Sequence, residues 1–211
     1  MANKYENRPW QRGIAQILEY NIKIQEDKMK GKDRITESLI ELMKTNEFEN
    51  ITIKDITQLA EVNRSTYYRN FKSKEDIIKY RIESIMDEYL EEFESKEDKT
   101  KETYIQTILE TFLKHGKFLK IIHKQNQSYI LQKVLVNYFN DVLKDTSKKE
   151  RYQVYYHIGG IYNFIICWIE NDMEDKPECL ARIGAEITSN IEPYLIKWVI
   201  SYNKNLNPKN S

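Results

Sequence analysis

The sequence predicts an all-α fold, and three observations carry that prediction. Glycine and proline are sparse, six and four in 211 residues, a composition that favours helix over sheet. Apolar residues recur at helical spacing, most clearly at Ile77, Ile78, Ile82, Ile85, Met86, Tyr89 and Phe93. Helix-start chemistry precedes such runs: Thr52 with Asp55 and Ser73 with Asp76 each have the form of a capping box, and Asn63 suits a third cap. With 40% hydrophobic residues the chain can bury a substantial core, as one large or two small domains.

Taken in order, residues 1–31 form an N-terminal extension whose Trp10, Ile14, Ile17, Leu18 and Ile22 fall at helical spacing after Pro9. A head is expected over 32–80. Its first helix, 33–44, carries Ile35, Leu39, Leu42 and Met43 on one face, and Phe48 and Ile51 close the small core. A second short helix after Thr52 presents Ile53, Ile56 and Leu59 or Ala60. Between Asn63 and Ser73 the segment RSTYYRNFK holds Arg64, Arg69 and Lys72 and no acid. A short, basic, hydroxyl- and aromatic-bearing helix directly after another short helix has the shape of a helix-turn-helix whose second helix enters the DNA major groove.

A helical body is expected over 81–202, with a tail at 203–211. The long helix from Ser73 to about Phe93 is long enough to join head to body, and the charged run 94–102 after it reads as a solvated break. Body helices follow near 103–114, 117–124, 128–145, 150–171 and 177–191, with Gly116 as a helix stop and Pro177 at a helix start. Pro193 then kinks the last helix or restarts it as 194–202. The helix 150–171 is apolar nearly all round, so it must be covered on more than one face. Paired interior glycines, Gly159 and Gly160, call for close approach of another backbone.

The segment 33–80 resembles the TetR (tetracycline-repressor-like) family of bacterial transcriptional regulators. The resemblance lies in Thr52, Asp55-Ile56, Ala60-Glu61-Val62, the run Thr66-Tyr67-Tyr68-Arg69-Asn70-Phe71, and Ser73-Lys74-Glu75. Glu61 stands where a turn glycine is usual, and Thr57 where a small alanine often packs. The resemblance implies base-edge contact by Arg64, Ser65 and Thr66, and phosphate contact by Tyr68, Asn70 and Lys74. Thr52 and Lys54 are expected to meet the DNA backbone at the positive end of their helix, and Asn63 and Arg69 complete the DNA-binding set. Tyr67 and Phe71 are assigned to the head core.

The formal net charge is +0, so attraction to nucleic acid must be local, and residues 62–74 supply it with four cations and no acid. No run approaches a membrane span, and the N-terminal residues do not read as a secretory signal. Two cysteines, Cys167 and Cys179, give no disulfide framework, which points to the cytoplasm. His115, His123 and His157 have no metal-ligand spacing with them, and no cofactor loop or nucleophile motif suggests an enzyme. The resemblance implies a small-molecule effector between body helices, for which Tyr104, Phe112, Phe118, Tyr129, Tyr138, Tyr156, Tyr162 and Trp168 are candidates. A homodimer is expected through Gly159, Gly160, Trp168, Ile183, Ile187 and Ile191. The expected function is a DNA-binding transcriptional regulator, a repressor released from a two-fold operator by its effector. The alternative is a constitutive DNA-binding scaffold that recruits a protein partner.

Overall fold

A computed structural model describes residues 30–143 and 147–188, and the chain divides into two compact units, 1–74 and 75–211. That division falls earlier than the expected 80/81 boundary. Most of the N-terminal extension, Ile191, the expected helix 194–202 and the tail lie outside the described residues. The described residues are helical throughout, with no strand among them.

The first unit holds α1 (30–43), a 3-10 turn at Phe48–Asn50, α2 (Ile53–Leu59) and α3 (Arg64–Asn70). Helix α1 buries Ile35, Leu39 and Met43, one residue per turn, and the same core takes Phe48, Ile51, Ile56, Ala60, Tyr67 and Phe71. Ala60 is inside and Leu59 outside, 49% exposed, which settles the choice between them. The Thr52 box forms: its hydroxyl accepts from the Asp55 amide, while the Asp55 carboxylate accepts from the Thr52 amide at 2.9 Å. Donation to the Asp55 carboxylate from the Thr52 hydroxyl first, and from the Thr52 amide second, holds that carboxyl below its ordinary range. Asn63 occupies the expected cap position of α3 with extended backbone, but its side chain makes no capping bond. Thr57, buried, satisfies its hydroxyl on the carbonyl of Ile53 one turn back.

Helix α2 ends in a two-bond closure, Glu61 N–H to Gln58 C=O and Val62 N–H to Thr57 C=O, with Glu61 left-handed at φ 52°. This is the Schellman arrangement, and it requires a left-handed residue just past the helix. Glutamate there costs about 1 kcal/mol relative to glycine.

The second unit carries α4 (Lys74–Ser95), whose first residue belongs to the first unit, then α5 (Lys101–Lys114), α6 (Gly116–Lys124), α7 (Tyr129–Leu143), α8 (Lys148–Glu170) and α9 (Pro177–Ile187). Helix α5 packs on α9 and α6, and α8 packs on α7 and α6. Two starts are capped by residues that the sequence reading passed over: Thr100 accepts from the Thr103 amide, and Ser147 forms a full box with Glu150. Helix α5 ends at Lys114, so the break at His115-Gly116 falls where expected, but Gly116 does not make it by a left-handed conformation. It is the first residue of α6, its φ is not positive, and a Cβ there would lie 3.1 Å from Met173 Sδ, so its smallness admits Met173. The charged run 94–102 is only partly solvated: Lys99 turns back so that its ammonium caps the carbonyls of Phe93 and Glu94 at the end of α4 and lies 4.9 Å over the Phe93 ring.

In the second unit Tyr89 and Phe93 of α4 meet Tyr104 of α5 edge-on, at 6.0 and 5.9 Å between ring centres. The Tyr104 hydroxyl lies 3.5 Å from His157 Nε2 on α8. Burial, aided by the charge of Lys101, lowers the His157 pKa to about 4, so the imidazole is neutral at neutral pH. The unfolded chain binds this proton near pH 6.5 and the folded chain only near 4, so stability present above pH 6.5 is lost as pH falls towards 4. Between pH 7.5 and 5 the loss should be about 2 kcal/mol in urea unfolding, and His157→Phe should remove that part of the pH dependence. Equal losses in wild type and variant would contradict it.

Candidate nucleic-acid interface

Helix α3 has seven residues and two faces. Tyr67 and Phe71, four apart, turn into the core at 0% and 4% exposure, their rings 6.3 Å apart. Ser65 and Arg69 consequently point outward on the opposite face with Tyr68, 62% exposed, on its flank, and Arg64 and Lys72 are exposed at the two ends of the helix. The Tyr67 ring meets Tyr68 edge-on at 5.3 Å, which limits how Tyr68 can turn. Residues 62–74 contain no carboxylate, so the outward face is uniformly basic or neutral. Guanidinium groups on such a face can pair with guanine edges, and hydroxyl and phenol groups can bond phosphate oxygens.

The other expected contacts divide into free and engaged groups. Lys54 is exposed on α2. The Thr52 hydroxyl donates to Asp55 Oδ2 at 2.6 Å, so it would have to exchange partners to reach a phosphate. Arg69 Nη2 donates to Thr66 Oγ1 at 3.1 Å, and Asn70 Nδ2 donates to the Thr66 carbonyl at 2.7 Å, so these three side chains form one local set.

Lys74 is the most constrained. Its ammonium donates to the carbonyls of Phe48, Glu49 and Ile51 and lies 4.5 Å over the Phe48 ring. It ties the 3-10 turn to the start of α4, a role that no local sequence signal announces. Arg34 of α1 makes a similar clamp, donating to the carbonyls of Ala60 and Glu61 in the turn before α3.

The effector candidates are not brought together. Tyr104, Phe112, Phe118 and Trp168 are core, Tyr129 is 40% exposed, and Tyr138 lies between α4 and α7 with its hydroxyl on Asp87 Oδ1 at 2.6 Å. Tyr156 alone of the eight lines the apolar groove of about 420 Å³ that α5, α8 and α9 form. Its other walls include Ile105, Tyr155, His157, Gly160 and Ile187, and among the described residues no charged side chain lines it. Tyr162 is half-buried on α8, outside that groove.

Of the expected dimer residues, Ile183 and Ile187 are exposed on α9, and Gly160 is exposed on α8 beside half-buried Gly159. Apart from the helix's own backbone, no atom of the described residues lies within 4 Å of a Cβ built on either glycine, so the close backbone approach expected at the pair is not made among the described residues. Trp168 is turned inward at 3% exposure, its indole N–H on the Asp175 carbonyl at 3.1 Å. Exposed Tyr152, Tyr155 and Tyr156, of which only Tyr156 was a candidate and that for the effector, extend the α8 stripe. Among the described residues no cluster of His, Cys, Asp or Glu could hold a metal, and no helix is long and apolar enough to cross a membrane.

Two family models match the chain. Residues 35–80 match the bacterial regulatory proteins of the tetR family, and residues 99–190 match a transcriptional regulator C-terminal region. No curated protein matches. Among solved structures, the fatty acid degradation regulator FadR from Bacillus halodurans has a TM-score of 0.50 and 15% identity over 74% of this chain and 93% of its own. The dihydroxyacetone kinase operon activator DhaS has a TM-score of 0.48 and 18% identity over 76% of this chain and 96% of its own. A tetR-family regulator from Streptomyces coelicolor has a TM-score of 0.46 and 11% identity over 85% and 93%.

The clamp on the 3-10 turn is directly testable. Lys74→Met should destabilise the first unit by about 1–3 kcal/mol in chemical unfolding, the range for hydrogen bonds to a charged donor. A change below about 0.5 kcal/mol, typical of surface substitutions, would mean that the three carbonyl bonds contribute nothing.

Proposed function

Because the chain belongs to the TetR family of transcriptional regulators, we propose that it reads a two-fold DNA operator as a homodimer and represses transcription until an effector releases it. The observation that carries the reading is the outward face of α3. Arg64, Ser65 and Arg69 stand free of carboxylates on a helix whose inner face is pinned by Tyr67 and Phe71. Thr66 joins Arg64 and Ser65 in base contact, Tyr68, Asn70 and Lys74 meet phosphates, and Thr52, Lys54 and Asn63 border the same face. Lys74 would bring its phosphate contact at the expense of carbonyl bonds. Such a regulator works on cytoplasmic DNA and has no catalytic role.

Arg64→Ala should weaken binding to duplex recovered by the wild type from a randomised pool, by about 1–3 kcal/mol, and relax preference at one base pair of each half-site. Binding by the variant with unchanged affinity and preference would overturn the assignment.

The exposed stripe of Tyr152, Tyr155, Tyr156, Gly160, Ile183 and Ile187 supports self-association. A second copy related by two-fold symmetry would lay its own α8 and α9 against these and bury six apolar or small positions per chain. Gly160→Glu is the informative variant, because a Cβ there meets nothing within 4 Å and the single chain tolerates it. The wild type should sediment as a dimer at micromolar concentration and the variant as a monomer. A monomeric wild type would contradict the interface. The same stripe could take a recruited protein, the alternative of a constitutive scaffold, and a wild-type monomer would favour it.

An effector would enter the groove between α5, α8 and α9, whose open side a second copy would cover. From its wall at His157, contacts run through Tyr104 to Tyr89 on α4, the helix that follows the head in the chain. An effector preferring one arrangement of α4 a hundredfold would couple to DNA by about 2.7 kcal/mol.

A further inference from the structure

The turn that precedes α3 is closed by a residue poorly suited to it. Three helices of the described chain end in the same pair of bonds, with a left-handed residue at Glu61, Asn126 or Asp172, at φ 52°, 56° and 56°, and at the last of them Met173 follows, also left-handed, at φ 58°. Asparagine and aspartate tolerate that conformation because their short side chains bond the nearby backbone, whereas glutamate has no such local compensation. At Glu61 the compensation comes from another helix. Arg34 Nη2 donates to the Ala60 carbonyl and, at 2.8 Å, to the Glu61 carbonyl, and lies 3.7 Å from the Glu61 carboxylate.

Those two carbonyls belong to the peptide planes on either side of the Glu61 Cα. One nitrogen that binds both planes fixes the rotation of each about that atom, and so fixes φ and ψ of Glu61. Arg64 opens α3 three residues later, so the direction in which α3 leaves the turn depends on those two angles. A cation also sits on the left-handed residue at the end of α8, where Lys120 Nζ donates to the Asp172 carbonyl at 2.6 Å, but no DNA-facing helix follows there.

We propose that Arg34 is a positioning residue for DNA reading: it holds Glu61 left-handed and thereby aims α3. This rests on α3 being the DNA-contacting helix. Arg34 acts from behind the turn, and the proposal gives it no phosphate contact of its own.

The test compares full-length wild type, Arg34→Ala, Glu61→Gly and the double variant. Amide hydrogen exchange is followed at Glu61 and Val62, and affinity is measured for duplex that the wild type recovers from a randomised pool. Arg34→Ala should exchange both amides about tenfold faster and lose about tenfold in affinity, with the slope of affinity against salt unchanged. Glycine takes the left-handed conformation without help, so adding Glu61→Gly should return both readings to within about threefold of the Glu61→Gly variant. A salt slope reduced by about one, with no rescue by glycine, would identify Arg34 as a phosphate contact and overturn the proposal. Unchanged exchange in Arg34→Ala would overturn it as well. If the wild type recovers no duplex, DNA reading by α3 fails, and the exchange comparison still decides whether Arg34 holds the turn. Arg34→Gln takes the place of Arg34→Ala if the alanine variant does not fold.

Discussion

A seven-residue helix does not persist alone in water, because nucleation costs more than so few hydrogen bonds return. Everything attributed to α3 therefore depends on burial of Tyr67 and Phe71 in the core of the first unit. Two large aromatic side chains taken fully out of water contribute roughly 1.5–3 kcal/mol each, enough to hold a helix of this length against its neighbours. The same burial decides which residues face outward. With position 67 fixed inside, helical geometry turns 65 and 69 to the opposite side and 68 to the flank, while 64 and 72 are exposed because they stand at the two ends of the helix.

Around that anchor the first unit relies on long cations bound to backbone carbonyls. Lys74 serves the 3-10 turn and Arg34 the turn before α3, and in the second unit Lys99 caps α4 and Lys120 reaches Asp172. The ends of helices concentrate unpaired carbonyls and negative partial charge, and in a chain with few glycines these ammonium and guanidinium groups answer them. A lysine charge thus closes structure here, and under the proposed reading Lys74 would have to give up carbonyl bonds to reach a phosphate.

Local chemistry was legible in the sequence. The Thr52–Asp55 box, the inward Tyr67 and Phe71, and helices α4 to α9 to within a few residues all follow from spacing and capping rules acting over one or two turns. What was not legible depends on distant partners. The break at His115-Gly116 is legible, but that Gly116 leaves room for Met173 is not. Trp168 reads as an interface aromatic until its indole meets the Asp175 carbonyl. Eight aromatics stand as pocket candidates, yet spacing along separate helices cannot say which of them converge, and of the eight Tyr156 lines the groove. The clamps of Arg34 and Lys74 join residues more than twenty positions apart and have no sequence signature.

The central claim is that two copies of α3 read DNA together. It is tested most directly by sequencing duplexes that the full-length protein selects from a randomised pool. The account predicts an inverted repeat whose half-site centres lie about one helical turn apart, roughly 34–36 Å, or a multiple of it. Recovery of a single asymmetric site, or no enrichment of any sequence, would contradict it.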